Sequence, residues 1–223
     1  MGRFPQPLSQ KGSQKWLQKI VNKMPELLSS KIGECCDSLS GEDVLWLSPL
    51  EGDEFAEYRD QAFLDLLDVK VEVPLEDFWP SGGPQWDALG KSDSEKVFLV
   101  EAKSHIPELI SSLKAENRDS IRLIRKSLKE TKGYLGSNVD VDWAHRFYQY
   151  TNRLAHLYFL RVLNKVPACL VFVYFVNDVE QKGPTTISEW KGALKLLHSY
   201  LGLGRHKLQK YICDVFIDVK RLE

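Results

Sequence analysis

The chain has 223 residues, of which 43% are apolar, 27% charged and 11% aromatic, a balance that builds a full core and excludes a miniprotein held by disulfide or metal staples. Its 30 Lys and Arg stand against 31 Asp and Glu for a net charge of −1, so whole-chain basicity gives no argument for nucleic acid and any anion-binding surface must be local. The longest apolar run, Ala168 to Val176, is far short of the ~20 residues of a membrane span, and the first residues hold no apolar signal core; the sequence therefore predicts a cytoplasmic protein with no membrane partner.

Residues 1–12, rich in Pro, Gln, Gly and Ser, read as a flexible lead-in to a single domain over 13–223. Trp16, Leu17, Ile20, Val21 and Met24 recur at helical spacing while Lys11, Lys15, Lys19 and Lys23 mark another face. Asp53 to Asp68 reads as a second helix, with Phe55, Tyr58, Ala62, Phe63, Leu66 and Leu67 on its apolar side. The period then changes: Val69, Val71 and Val73 alternate with Lys70 and Glu72 as a half-buried strand ended by Pro74. Short strand-like Gln85 to Leu89 and the strand Lys96 to Lys103 complete a three-stranded meander. From Pro107 to Leu163 the pattern is helical, broken by a loop over 133–142. Ala168 to Asn177 suits a central strand covered on both faces. Ile187 to Leu201 predicts a helix stopped by Gly202, and Tyr211 to Val219 a last strand. The fold class is α/β.

Four cysteines are present, Cys35, Cys36, Cys169 and Cys213, with no CxxC spacing. They read as buried thiols and not as a zinc site or disulfide framework.

The residues that carry chemistry are Asp87 and, after thirteen intervening positions, Glu101-Ala102-Lys103. Side chains alternate along a strand, so Glu101 and Lys103 share a face with Ala102 opposite, and a tight turn near residue 93 brings Asp87 alongside. Two carboxylates that close repel unless a cation offsets them, and oxygen-only donors favour Mg²⁺ or Mn²⁺. A carboxylate-held metal with a nearby lysine suits phosphodiester hydrolysis. The competing reading makes Asp87 a turn cap and Glu101 with Lys103 a solvated edge-strand pair.

At these residues, Asp87 and Glu101-Ala102-Lys103, the chain resembles the PD-(D/E)xK nuclease superfamily. The resemblance in element order covers about residues 53–177. The proline stands at Pro84 and not directly before Asp87, so that half of the motif is degenerate. What the resemblance implies is a restriction-endonuclease-like core, a mixed central sheet with helices on both faces, here with an extra N-terminal helix. It implies a Mg²⁺- or Mn²⁺-dependent nuclease acting on DNA in preference to RNA, with Asp87 and Glu101 as metal ligands, the Ala102 carbonyl as a further ligand and Lys103 as the catalytic lysine. A glutamate from the first core helix completes such sites, and Glu57 takes that place with Glu54 in reserve. A downstream Gln-x-x-x-Tyr motif is not matched, because Gln149 is followed four residues later by Arg153; Gln149, Asn152 and Arg153 stand either near the site or in structural roles. The alternative is an inactive module of the same fold that binds nucleic acid or a protein partner, and a homodimer stays open.

For nucleic acid, Lys114 to Lys132 holds seven basic and three acidic residues, and Arg118, Arg122, Arg125, Lys129 and Lys132 fall along one helical stripe beside Ile121, Ile124 and Leu128. That stripe is the predicted phosphate-contacting surface; a merely solvated charged face is its competitor.

Overall fold

The computed structural model describes residues 2–35, 43–180 and 185–222; the expectation for Cys36 falls outside them. The first helix, α1 (Gly12–Lys23), buries Trp16, Leu17, Ile20 and Val21 as its spacing requires. Of the lysine ladder on its other face, Lys15 pairs with Glu180 (2.6 Å) and Lys23 with Glu51 (3.2 Å). A second helix, α2 (Pro25–Cys35), follows at once and buries Leu28 and Ile32.

The helix expected over Asp53 to Asp68 does not form. Glu54, Phe55, Asp60 and Asp68 all hold positive φ angles, which a right-handed helix of L-residues cannot contain. The chain makes a 3-10 turn at Glu51–Asp53, a two-residue strand β3 (Glu57–Tyr58), and only then the short helix α3 (Gln61–Leu66). The partner of β3 is β1 (Arg3–Phe4), paired antiparallel with Arg3 opposite Tyr58. Arg3 also bridges to Asp53 and Glu54, each at 2.8 Å, so the start of the chain is bonded in place and is not a loose lead-in. The Val69, Val71, Val73 alternation makes no strand either. These side chains pack against the larger core from an irregular segment, and the Val73 N–H donates to the Asn164 side chain at 2.8 Å. The next helix, α4, is the single turn Leu75–Phe78.

The five-stranded sheet runs β2 (Val44–Ser48), β4 (Ala88–Ser92), β5 (Val97–Lys103), β6 (Ala168–Val176), β7 (Ile212–Asp218) in spatial order. The first three are antiparallel and the last three parallel, so the sheet is mixed. The meander predicted from sequence exists, with Val44–Ser48 in the place assigned to residues 69–73. Gly90 lets β2 close on β4: a Cβ there would lie 2.8 Å from Val44 and 3.0 Å from Trp46. Every residue of β6 is buried, as its continuous apolar run requires.

Helices cover both faces. Val100, Ala102, Val171, Val173 and Val215 pack with α1 and α2. Leu99, Phe172 and Tyr174 face α5 (Arg118–Leu135), α6 (Tyr148–Tyr158) and α7 (Ile187–Leu201). Asn117 caps α5 by accepting from the Asp119 and Ser120 N–H groups, and Gly136 ends it at φ 74°. The helix expected from Trp143 begins only at Tyr148, because Arg146 and Phe147 have positive φ. A Thr186/Glu189 capping box starts α7, and Gly202 at φ 65° stops it where the sequence placed the stop. Cys169 and Cys213 are buried, but Cys35 is exposed, its thiol donating to the Asp214 carbonyl at 3.3 Å. Among the described residues no helix is long and apolar enough to cross a membrane.

Candidate functional site

Asp87 directly precedes β4, and the antiparallel pairing of β4 with β5 sets it beside Glu101 and Lys103. Its N–H donates to the Val100 carbonyl (3.2 Å), and its Oδ2 accepts from the Ala102 N–H at 2.7 Å. The turn-cap reading thus holds in part, since this carboxylate does bind backbone. The edge-strand reading does not hold, because β5 is central and Glu101 and Lys103 are buried. As alternation predicts, Ala102 points into the opposite core while the Lys103 ammonium donates to Glu101 Oε1.

The second oxygen of Glu101 is taken from α6. Arg153 Nε donates to Glu101 Oε2 at 2.8 Å, Nη2 to the Gln85 carbonyl at 2.9 Å and Nη1 to Asn152 Oδ1 at 2.8 Å. The guanidinium also lies 4.9 Å from the centroid of the Trp86 ring. Of the three α6 residues weighed from sequence, Arg153 is therefore in the site, Asn152 holds it, and Gln149 lines the cleft.

Glu57 reaches the site from β3 and not from a helix. Gln14 and Gln85 donate to its two oxygens at 3.1 and 2.5 Å, and Gln6 adds a longer contact of 3.4 Å. Glu54 turns away to Arg3. Gln14, Gln85 and Glu108, which lies beside Lys103 and pairs with His105 at 2.5 Å, had no signal in a spacing pattern. Gln85 alone was discoverable, as a neighbour of Asp87 in the chain.

The charges do not balance: Glu57, Asp87 and Glu101 face Lys103 and Arg153. Burial first and the Glu101 charge second push the Asp87 carboxyl well above its ordinary range, against the pull of Lys103. Glu57 is raised by burial, which its Gln14 and Gln85 hydrogen bonds only partly offset. Burial would raise Glu101 too, but Arg153 and then Lys103 reverse the sign and hold it ionised. Lys103 is raised, because Glu101 and Asp87 outweigh its own desolvation. The surroundings thus push Asp87 and Glu57 up and Glu101 down, and neighbouring carboxyls driven apart in this way are an arrangement suited to acid–base work.

Asp87, Glu101, Lys103, Gln85 and Arg153 line a cleft of about 870 Å³ whose far wall includes Lys114, Asn117 and Ser120. Arg118, Arg122, Arg125 and Lys129 are exposed on α5 but do not line that cleft, which meets the helix through Ser120 and Ile124. Arg122 pairs with Asp119 (3.3 Å) and Arg125 with Asp142 (2.9 Å).

The donors fit a hard divalent cation in kind, since they are all oxygen. They fit less well in number: both Glu101 oxygens are already engaged, and among the described residues no group of three or more His, Cys, Asp or Glu surrounds a common point. No protein-family model, curated protein or solved structure matches the chain.

Proposed function

We propose that the chain is a metal-dependent phosphodiester hydrolase with a restriction-endonuclease-like core, acting on DNA in preference to RNA. The observation that carries this reading is the meeting of Asp87, Glu101 and Lys103 at one end of two adjacent strands, facing an open cleft. Asp87 and Glu101 would hold Mg²⁺ or Mn²⁺, with the Ala102 carbonyl as the further ligand of that reading. When bound, such an ion supplies a polarised phosphoryl oxygen and a water acidified toward neutrality.

The protein's own groups do the rest. The Lys103 ammonium, held at Glu101, is placed to stabilise charge developing on a phosphate in the cleft. Glu57, inclined toward its protonated form and clamped by Gln14 and Gln85, can hold or return a proton at its carboxyl. Arg153 fixes Glu101 against the Gln85 segment and adds a second cation.

One observation favours the alternative, a non-cutting module of the same fold that binds nucleic acid or a protein: Glu101 has no open oxygen while Lys103 and Arg153 both hold it. Plasmid DNA incubated with Mn²⁺ separates the two. The hydrolase reading expects nicking or linearisation that needs the metal and disappears in Glu101→Gln. Wild-type protein that leaves the plasmid intact across Mg²⁺ and Mn²⁺, while still binding DNA, favours the module.

A further inference from the structure

A second cleft opens on the other side of α6, between α7, the loop over 202–210 and β7. It consists of two contiguous depressions of about 790 and 710 Å³ that share His198, Leu203, Gly204 and Asp214 in their walls. Lys191 and Lys195, one helical turn apart, line one depression, and Arg205, Lys207 and Lys210 line the other. Asp214 is the one carboxylate among these lining residues. Lys191, Lys195, Arg205 and Lys207 are exposed, and among the described residues none of the four is ion-paired to a carboxylate. A polyanion neutralises such a ring of cations and releases their counterions.

The walls also offer more than charge. Phe216 lines the first depression, backed by Tyr174 with ring centroids 5.5 Å apart and with Lys191 6.0 Å from its centroid. The Asp214 carboxylate stands in the wall shared by both depressions, with its Oδ1 buried beside the Tyr174 hydroxyl, and a carboxylate in such a wall is an acceptor suited to the amino group of a base. The position is informative as well. Glu101, Phe172 and Asp214 stand in one register row across β5, β6 and β7, so Asp214 lies two strands, about 10 Å, from the candidate catalytic glutamate on the same sheet face. Tyr150 forms the partition: its ring stacks on Phe172 at 4.5 Å and its hydroxyl meets His198 Nε2 at 2.8 Å.

We propose that this second cleft binds the phosphates and bases of a single-stranded stretch of nucleic acid flanking the part held at the first cleft. Each depression has the volume of a small-molecule pocket, room for unpaired nucleotides. Cations with an aromatic wall are the elements that single strands use. The inference rests on nucleic acid being the partner at the first cleft, though not on cleavage there.

The test is fluorescence anisotropy in EDTA with a labelled single-stranded DNA of about 16 nucleotides, comparing wild type with the Lys191→Gln, Lys195→Gln, Arg205→Gln, Lys207→Gln variant. All four positions are exposed, and circular dichroism verifies that the variant folds. The expected result is a loss of affinity of roughly tenfold or more at low salt, with the slope of log affinity against log salt shallower by roughly 0.7 for each lost contact. A separate Asp214→Asn variant should reduce any preference for amino-bearing strands, oligo(dC) or oligo(dA), over oligo(dT). A quadruple variant that binds like wild type, with the same slope, overturns the second cleft whatever the cleavage assays give. A wild-type protein with no measurable affinity for the strand overturns it too. Binding that depends on these four residues in a protein that never cuts DNA upholds the cleft and counts only against the hydrolase reading.

Discussion

Arg153 donates to Glu101 at 2.8 Å and to the Gln85 carbonyl at 2.9 Å, so one side chain of α6 fastens β5 to the segment leading into β4. Both ionic partners are buried. Arg153→Met takes one of two cations from Glu101 and leaves it with Lys103, so the loss should be smaller than the about 3–5 kcal/mol of a buried charge with no partner. It should lower unfolding free energy by about 1–3 kcal/mol in urea titrations, and adding Lys103→Met, which strands Glu101 outright, should lower it further. A single variant that loses less than about 1 kcal/mol would show that the pair is not the tie described.

Metal binding and catalysis should divide between Asp87 and Lys103. Asp87→Asn removes a ligand and should abolish Mn²⁺ binding by calorimetry while the fold survives. Lys103→Ala should keep the metal but lose roughly 10²- to 10³-fold in cleavage, the scale for one lost electrostatic stabiliser of a transition state. Equal loss of metal affinity in both variants would contradict the separate roles.

His156 supplies a pH dependence of stability. Buried in α6 among Phe63, Trp79 and Trp86, with Nδ1 at the Asn152 carbonyl (2.8 Å), it is pushed down to about 3, by burial first and by Arg153 as well, against the carbonyl's opposite pull. Its folded pKa lies below the unfolded value of ~6.5, so the unfolded chain binds the extra proton and stability falls as pH drops from ~6.5 toward 3. His156→Gln should flatten that limb of a stability–pH curve by about one proton's slope. An identical slope in the variant would mean that other groups carry the acid sensitivity.

The basic stripe of α5 offers a control for the DNA path. Arg118, Arg122 and Arg125 lie off the first cleft, two of them on carboxylates. Replacing all three by Gln should leave the salt dependence of strand binding nearly unchanged; a slope shallower by roughly 2 or more would return the path to α5.

Elements held by their own pattern were legible in the sequence. The strands β5 and β6 and the helix α7 each show one uninterrupted period, and the Gly202 stop needs only a left-handed residue. That Glu101 and Lys103 share a face followed from alternation alone. The error over residues 53–73 has a different origin. Apolar residues there recur at plausible spacings, yet positive φ at Glu54, Phe55 and Asp60 and the pairing of Glu57 with Phe4 decide the path, and nothing within the segment encodes a strand partner at the start of the chain. Of the two glutamates weighed, Glu57 comes to lie beside Asp87 and Glu101, but from a strand and not from a helix. Its glutamine clamp is invisible for the same reason, since Gln14 meets it across 43 positions.

The ion pair between Glu101 and Arg153 spans 52 positions, and that separation orders events as the chain leaves the ribosome. Glu57, Asp87 and Glu101 emerge first, with Lys103 close behind, while Arg153 is still to be made. Until α6 arrives, the nascent sheet holds crowded acids that burial would penalise, so β4 and β5 have reason to stay hydrated and open. α6 brings the second cation to Glu101, so a fragment ending before residue 153 lacks one of the two cations of the candidate site and is a poor stand-in for it.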